Sequence, residues 1–214
     1  MSSALGVFGG TFDPVHNAHL RLAESAQTCL ALHEVRWVPT GLPGHRDAPI
    51  ASPDQRLAML RLALAGKAHD VIDASELSSN QPTFTVNTLT RLRTELGARL
   101  PLALIIGSDQ FVVLHTWREW ERLFELAHIA VAERPGHAID PARLVPALAG
   151  QWEKRHANAL DAAPCGRIVP FAMPAMDISS TQVRQALAAG RSARHLLPDK
   201  VLAYIASQHL YQPS

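Results

Sequence analysis

The chain has 214 residues, enough for one α/β domain with a sizeable core, or one domain plus a small appendage. Hydrophobic residues make up 47% and charged residues 18%, a globular rather than disordered balance. A formal net charge of +1 argues against broad electrostatic binding to nucleic acid or acidic membranes, so any anion site must be local. Two cysteines, Cys29 and Cys165, form neither a disulfide framework nor a metal cluster, and read as reduced thiols of a cytosolic protein. Met1 to Leu5 has no basic leader-like character and no apolar run approaches membrane-spanning length, so the expected location is cytoplasmic.

Leu5–Phe8 reads as a buried first strand. A helix follows from about Ala18 to Leu30, with Leu20, Ala23, Ala26 and Leu30 near the 3.6 period. Val35–Val38 is a second strand, ended by Pro39, and a Gly/Pro-rich loop from Thr40 to Ala51 holds His45 and Arg46. Ser52 as N-cap, Pro53 at the first helical position and Gln55 two further on predict a helix to about Leu64. Val71–Ala74 is a third short strand, and Thr85–Leu96 a helix closed by Gly97. Leu102–Ile106, apolar throughout between Pro101 and Gly107, is the pattern of a central parallel strand. His115–Leu126 is aromatic-rich and reads as helical, and Ile129–Ala132 is a strand ended by Arg134-Pro135-Gly136. Pro141–Leu160 is hard to read, with a peripheral helix as the expectation. Arg167–Phe171 is a last strand, before a helix from Ser179 to near Gly190 and a terminal one over Pro198–Gln208.

Strands alternating with helices at this spacing predict an α/β protein with a doubly wound parallel sheet. There is no repeat or obvious linker, so residues 1–214 read as one domain whose C-terminal part, from about 179, is helical. Ligands of such sheets sit beyond the carboxyl ends of the strands. The loops there would carry Gly9–His19, His45 and Arg46, Gly107–Asp109, Arg134, and Ser179–Arg184.

Gly9-Gly10-Thr11-Phe12-Asp13-Pro14 lies between the first strand and its helix, a turn whose free backbone N–H groups and helix dipole suit an anion. His16 and His19, three residues apart, share a face once the helix has begun, and of the eleven scattered histidines only these sit in such a context. The structural alternative is a tight turn with histidines decorating a helix start. Ile178-Ser179-Ser180-Thr181-Gln182-Val183-Arg184 is the second motif. Its hydroxyls and Arg184 offer donors matched to phosphate, while Ser179 with Gln182 also makes a capping box. Both hold together, since capping needs one hydroxyl of three. Asp109 can accept from ribose hydroxyls or cap the next turn. Trp117 and Trp120, three apart, read as core packing or as one ring stacking on a planar heterocycle.

The first motif resembles the G-G-T/S-F-D-P-x-H-x-G-H loop of the nucleotidyltransferase superfamily, with Ala18 in place of the glycine before the final histidine. The second resembles its I-S-S-T-x-I/V-R segment. More narrowly, the chain is similar over nearly its whole length to the bacterial nicotinate mononucleotide adenylyltransferase family. Pro82-Thr83-Phe84-Thr85-Val86-Asn87-Thr88-Leu89 is similar to its P-S-Y-T-x-x-T-L, Ile105–Asp109 to its I-I-G-x-D, Thr116-Trp117 to its tryptophan region, and Arg134-Pro135-Gly136 to its R-P-G.

The resemblance implies a Rossmann-like nucleotidyltransferase fold and transfer of AMP from ATP to nicotinate mononucleotide, giving deamido-NAD and pyrophosphate in NAD biosynthesis. It implies ATP contacts from Gly9, Gly10, Thr11, Phe12, Asp13, His16, His19, Gly107, Asp109, Ile178, Ser179, Ser180, Thr181 and Arg184, with His16, His19 and Arg184 catalytic. Arg46, Phe84, Thr85, Trp117 and Arg134 would hold nicotinate mononucleotide, with Arg46 also near the phosphates. Mg²⁺ is expected on the ATP phosphates, since no carboxylate cluster suggests a protein cage. ATP and nicotinate mononucleotide are thus the expected partners, without nucleic acid or membrane; a homo-oligomer stays open. Two rivals remain: another adenylyltransferase, such as one acting on phosphopantetheine, and a nucleotide-binding regulator without turnover.

Overall fold

The computed structural model describes residues 4–43, 48–79, 81–136 and 138–212. In chain order the elements are β1 (Leu5–Gly10), α1 (Asn17–Leu30), β2 (Glu34–Pro39), β3 (Leu42–Pro43), α2 (Pro53–Leu64), β4 (Asp70–Ile72), β5 (Pro82–Thr83) and α3 (Thr85–Leu96). There follow β6 (Leu102–Gly107), α4 (Ser108–Phe111), α5 (Leu123–Leu126), β7 (His128–Glu133), α6 (Pro146–Arg155), β8 (Ile168–Ala172), α7 (Ser180–Ala188) and α8 (Asp199–Ser207). Six strands form one sheet in the order β4-β2-β1-β6-β7-β8. Leu5 pairs in parallel with Leu102, Leu104 with Ile129, and Ala130 with Val169. This is the parallel α/β sheet that the alternating pattern predicts. Leu102–Ile106 and Ile129–Ala132 are buried throughout, which is why they read as unbroken apolar runs rather than alternating ones.

Contacts divide the chain into two compact units. The first comprises Met1–Phe8, Leu22–Arg36 and Phe84–Ala175. There α3 buries Val86, Leu89 and Leu92 and ends at Gly97, whose N–H donates to the Arg93 carbonyl at 3.1 Å. The Arg93 guanidinium donates to three backbone carbonyls, those of Leu126, Leu100 and Pro164, tying a helix to two loops far apart in sequence.

The second unit comprises Gly9–Arg21, Trp37–Thr83 and Met176–Ser214. Ser52 caps α2 as expected: its Oγ accepts the Gln55 N–H at 3.2 Å, and Gln55 Oε1 accepts the Ser52 N–H at 2.9 Å. The helix buries Met59, Leu60 and Ala63 and packs on α8, which contributes Val201 and Ile205. Each such aliphatic side chain removed from water is worth about 1.5–3 kcal/mol. Trp37, fully buried, keeps its indole N–H satisfied by donating to Asp70 Oδ1 at 2.7 Å.

Three stretches differ from expectation. His115–Leu126 is not one helix but short turns at Leu114–Thr116 and Trp120–Arg122, then α5. The break falls at Glu119, in the left-handed region at φ 51°, which no continuous helix accommodates. Trp117 and Trp120 therefore do not share a helix face; the Trp120 ring instead meets Phe124 edge-on at 6.1 Å. The third strand is shorter, Asp70–Ile72, because Asp73 turns away to accept the Ser75 N–H at its carboxylate. A ribbon of β3 and β5, pairing Leu42 with Pro82, was not legible, since two-residue strands carry no period. Pro141–Leu160 contains α6, with Pro146 at its first position. Among the described residues no helix is long and apolar enough to cross a membrane.

Candidate active site

In the second unit, the turn after β1 is built from behind. Gly10 has to lack a side chain, since a Cβ there would lie 2.9 Å from the Phe12 ring. Phe12 takes φ 50° and is buried, its ring 5.4 Å from Trp37 and 5.1 Å, edge to face, from His19. The aromatic side chain of the loop is thus a floor for the histidine. Where α1 begins, the His16 and His19 rings stack at 3.6 Å between centroids, 20° from parallel. The His16 backbone N–H donates to His19 Nδ1 at 3.2 Å, so Nδ1 carries a lone pair and the neutral ring holds its proton on Nε2. His16 is buried and His19 half-buried.

Asp13 points into the protein. Its carboxylate accepts the Ile50 N–H at 2.8 Å and the Ala51 N–H at 3.1 Å, and the Tyr211 hydroxyl at 2.6 Å. With 4% exposure and these donors, Asp13 fixes the loop from within. Burial, and then the bond to Asp13, hold the Tyr211 hydroxyl far above the ordinary tyrosine range, so it stays a donor. Arg56, 1% exposed, donates from Nη1 to the Thr11 carbonyl at 2.7 Å. Burial pushes the Arg56 pKa down, opposed by the nearby Asp13 charge. The Arg56 Nε is buried with no hydrogen-bond partner.

The second motif docks on the first. Ser179 caps α7 by accepting the Gln182 N–H at 3.2 Å, while Gln182 Oε1 accepts the Ser179 N–H at 2.7 Å. Ser180 Oγ then donates to the Pro14 carbonyl at 3.0 Å, and Arg184 Nη1 to the Asp13 carbonyl at 2.7 Å. Arg184 Nη1 lies 3.9 Å from Asp13 Oδ2. Thr181 is exposed, as is Gly9; Ile178, Thr11 and Gly10 are half-buried. This unit therefore joins His16, His19, Arg184 and both hydroxyl-bearing and N–H-bearing turns in one cluster, with Asp13 as its only buried carboxylate among the described residues. Such a surface is suited to an anion, and among its described residues no hydrogen bond pairs a nucleophile with a base.

In the first unit, Gly107 ends β6 and a Cβ on it would lie 2.4 Å from Asp109 Oδ1, so glycine is what lets the Asp109 carboxylate fold back. Asp109 is exposed, accepting only from Gln110 Nε2, at 2.9 Å, among its described partners. Phe84 and Thr85 form the start of α3, and Trp117 follows the turn at Leu114–Thr116; all three are half-buried, as is Arg134 after β7. Arg46 and His45 lie outside the described residues.

The chain matches the cytidylyltransferase-like family model over residues 7–186. It is 49% identical to the probable nicotinate-nucleotide adenylyltransferase of Dechloromonas aromatica (strain RCB) over 217 aligned positions, covering 100% of both chains. It is 45% identical to the protein of that name from Chromobacterium violaceum, covering 99% of this chain and 100% of the relative. The chain belongs to the nicotinate-nucleotide adenylyltransferases. Its fold agrees: a solved nicotinic acid mononucleotide adenylyltransferase of Plasmodium falciparum, complexed with NaAD, superimposes with a TM-score of 0.74 at 18% identity, covering 98% of this chain and 97% of that one.

The sequence alone does not single out Arg56 and Tyr211, which hold the turn from behind. Neither lies in a motif. Arg56 sits on a helix whose periodicity marks it only as inward-facing, and Tyr211 follows α8, 198 positions along the chain from Asp13. A charged residue at a buried helical position is the one signal that could have singled out Arg56.

Proposed function

We propose that the protein transfers the adenylyl group of ATP to nicotinate mononucleotide, giving deamido-NAD and pyrophosphate. The observation that carries this reading is the stacked His16–His19 pair on an Asp13-anchored turn, in a chain alike from end to end to nicotinate-nucleotide adenylyltransferases. A phosphate oxygen of nicotinate mononucleotide attacks the α-phosphorus of ATP. The new P–O bond forms as the bond to the bridging oxygen breaks, and pyrophosphate leaves with that electron pair. The attacking oxygen is already anionic and pyrophosphate departs as a stable anion, so neither a general base nor a general acid is needed. The protein's part is to align two anions and to neutralise charge on the transferring group.

His16 and His19 serve the α-phosphate. Arg184 and the Thr181 hydroxyl serve the other two phosphates, beside the turn from Gly9 to Asp13, while the Ser179 and Ser180 hydroxyls cap α7 and tie it to Pro14. Gly107 and Asp109 take the ribose, and Phe84, Thr85, Trp117 and Arg134 take the pyridine nucleotide. Among the described residues no three His, Cys, Asp or Glu side chains group to hold a metal, and both Asp13 oxygens accept protein donors. Mg²⁺ carried in on the ATP phosphates would supply charge neutralisation there, with Arg184 and the two histidines beside it.

The test is product formation from ATP and Mg²⁺ with either nicotinate or nicotinamide mononucleotide, reading dinucleotide by chromatography and pyrophosphate in parallel. The expected result is dinucleotide with strong preference for the nicotinate form. No dinucleotide from either substrate overturns the reading; adenylylation of phosphopantetheine, or ATP binding without turnover, would replace it.

A further inference from the structure

The residue after Trp117 is a cation. Arg118 extends its guanidinium over the Phe84 ring, with Cζ 4.8 Å from the centroid. Its Nε lies 3.7 Å from Glu119 Oε1, and its side chain is 57% exposed. Glu119 is shared: its other oxygen is 2.9 Å from Arg122 Nη1. Two guanidiniums on one carboxylate leave this trio with one net positive charge. The left-handed turn at Glu119, φ 51°, breaks the chain direction immediately after Arg118 and lets Glu119 reach the cations on both sides. Among the described residues, no protein acceptor takes a hydrogen bond from the two terminal NH₂ groups of Arg118. They form a planar fork matched to a carboxylate.

We propose that Arg118 is the specificity-determining residue for the pyridine substituent, pairing with the nicotinate carboxylate and disfavouring the carboxamide. This rests on the reading of Phe84, Thr85 and Trp117 as the pyridine-nucleotide site. The chemistry is two-sided. The pyridinium ring of either mononucleotide is cationic. In the acid form the carboxylate balances it and gives Arg118 a bidentate partner. In the amide form the ring charge is uncompensated, and a fixed guanidinium beside it repels. Stacking on Phe84 holds the fork in place, since a guanidinium is weakly hydrated and lies flat on an aromatic face. A lysine would keep the charge but lose the fork.

The experiment measures kcat/KM of the full-length protein for nicotinate and nicotinamide mononucleotide, with ATP and Mg²⁺ saturating, for wild type, Arg118→Lys, Arg118→Gln and Arg118→Glu. An exposed charge-assisted pair is worth about tenfold. The expected result is an acid-to-amide ratio that falls about tenfold in Arg118→Gln, further in Arg118→Glu, and by less in Arg118→Lys. Thermal unfolding of each variant close to wild type shows that the fold is intact, as the exposure of the side chain leads one to expect. A ratio unchanged in both Arg118→Gln and Arg118→Glu overturns the proposal, as does a collapse of the ratio in Arg134→Gln alone. Wild type that makes dinucleotide from both forms equally also overturns it, while leaving adenylyl transfer standing. Wild type that makes none defeats the functional reading itself.

Discussion

Tyr211 donates its hydroxyl to Asp13 at 2.6 Å, joining the end of the described chain to the turn that opens it. The acceptor oxygen also takes the Ala51 N–H, and the Asp13 main-chain carbonyl takes Arg184, so one residue is held from three separate segments. Tyr211→Phe keeps the ring and removes the donor. A bond to a buried carboxylate is worth about 1.5–3 kcal/mol, and for a chain of this size each kcal/mol moves Tm by about 2–4 °C. The expected outcome is a lower Tm together with a raised KM for ATP and a smaller change in kcat, because the bond orders the loop in ground and transition states alike. Unchanged Tm and KM would remove Tyr211 from the loop's support.

His19 tests the chemistry rather than the scaffold. Its Nδ1 is held by the His16 N–H and its ring rests on the Phe12 edge, which orients the imidazole before substrate arrives. His19→Ala should lower kcat by roughly 10²-fold or more, the scale of losing one preorganised donor. ATP binding, followed by calorimetry without the second substrate, should weaken far less. A variant with wild-type turnover would take His19 out of the mechanism.

What was legible in the sequence was whatever is written locally. Ser52 with Gln55 and Ser179 with Gln182 close capping boxes that involve only three-residue separations, and both form as the spacing indicates. The buried run Leu102–Ile106 announces a central strand because both of its faces are covered. Illegible were the contacts that tertiary folding creates. Nothing near Asp13 in sequence tells that its carboxylate faces inward to Ile50 and Ala51 rather than outward. The aromatic spacing of 115–126 matches a helix, but the left-handed Glu119 breaks it, and nothing in the local sequence places Arg118 above Phe84.

Arg93 predicts a stability effect away from the nucleotide. Its three acceptors are the carbonyls of Leu100, Leu126 and Pro164, and burial lowers its pKa, with Cys165 acting in the opposite sense. Arg93→Ala leaves those carbonyls without their charged donor, which should cost about 2–4 kcal/mol in urea unfolding. Arg93→Lys, with no planar fork, should recover only part of that. Wild-type stability of the alanine variant would mean that water serves those carbonyls equally well.

His128 gives the molecule a pH dependence whose sign can be worked out. The ring is fully buried, with Nε2 bonded to the Ala163 carbonyl at 2.8 Å and Nδ1 accepting the Arg167 N–H at 3.1 Å. The Nδ1 contact requires the neutral imidazole, whose lone pair accepts there, and the proton of that tautomer sits on Nε2 to donate to Ala163. Burial lowers the pKa below 6.5, and Arg93 and Arg167 add to that, against Ala163 and Asp161. The unfolded chain takes up its proton near the ordinary histidine value of about 6.5, while the folded one resists until lower pH. This contribution is therefore complete above about pH 6.5 and is lost as pH falls through the folded pKa, by at most about 1.4 kcal/mol per pH unit for one proton. Urea unfolding of wild type and His128→Gln from pH 8 to pH 5 isolates it. The variant should be less stable at pH 8, and the gap between the two should narrow toward pH 5. A gap that stays constant over that range would mean that His128 keeps the same protons in both states, and that the acid sensitivity of the fold belongs to other groups.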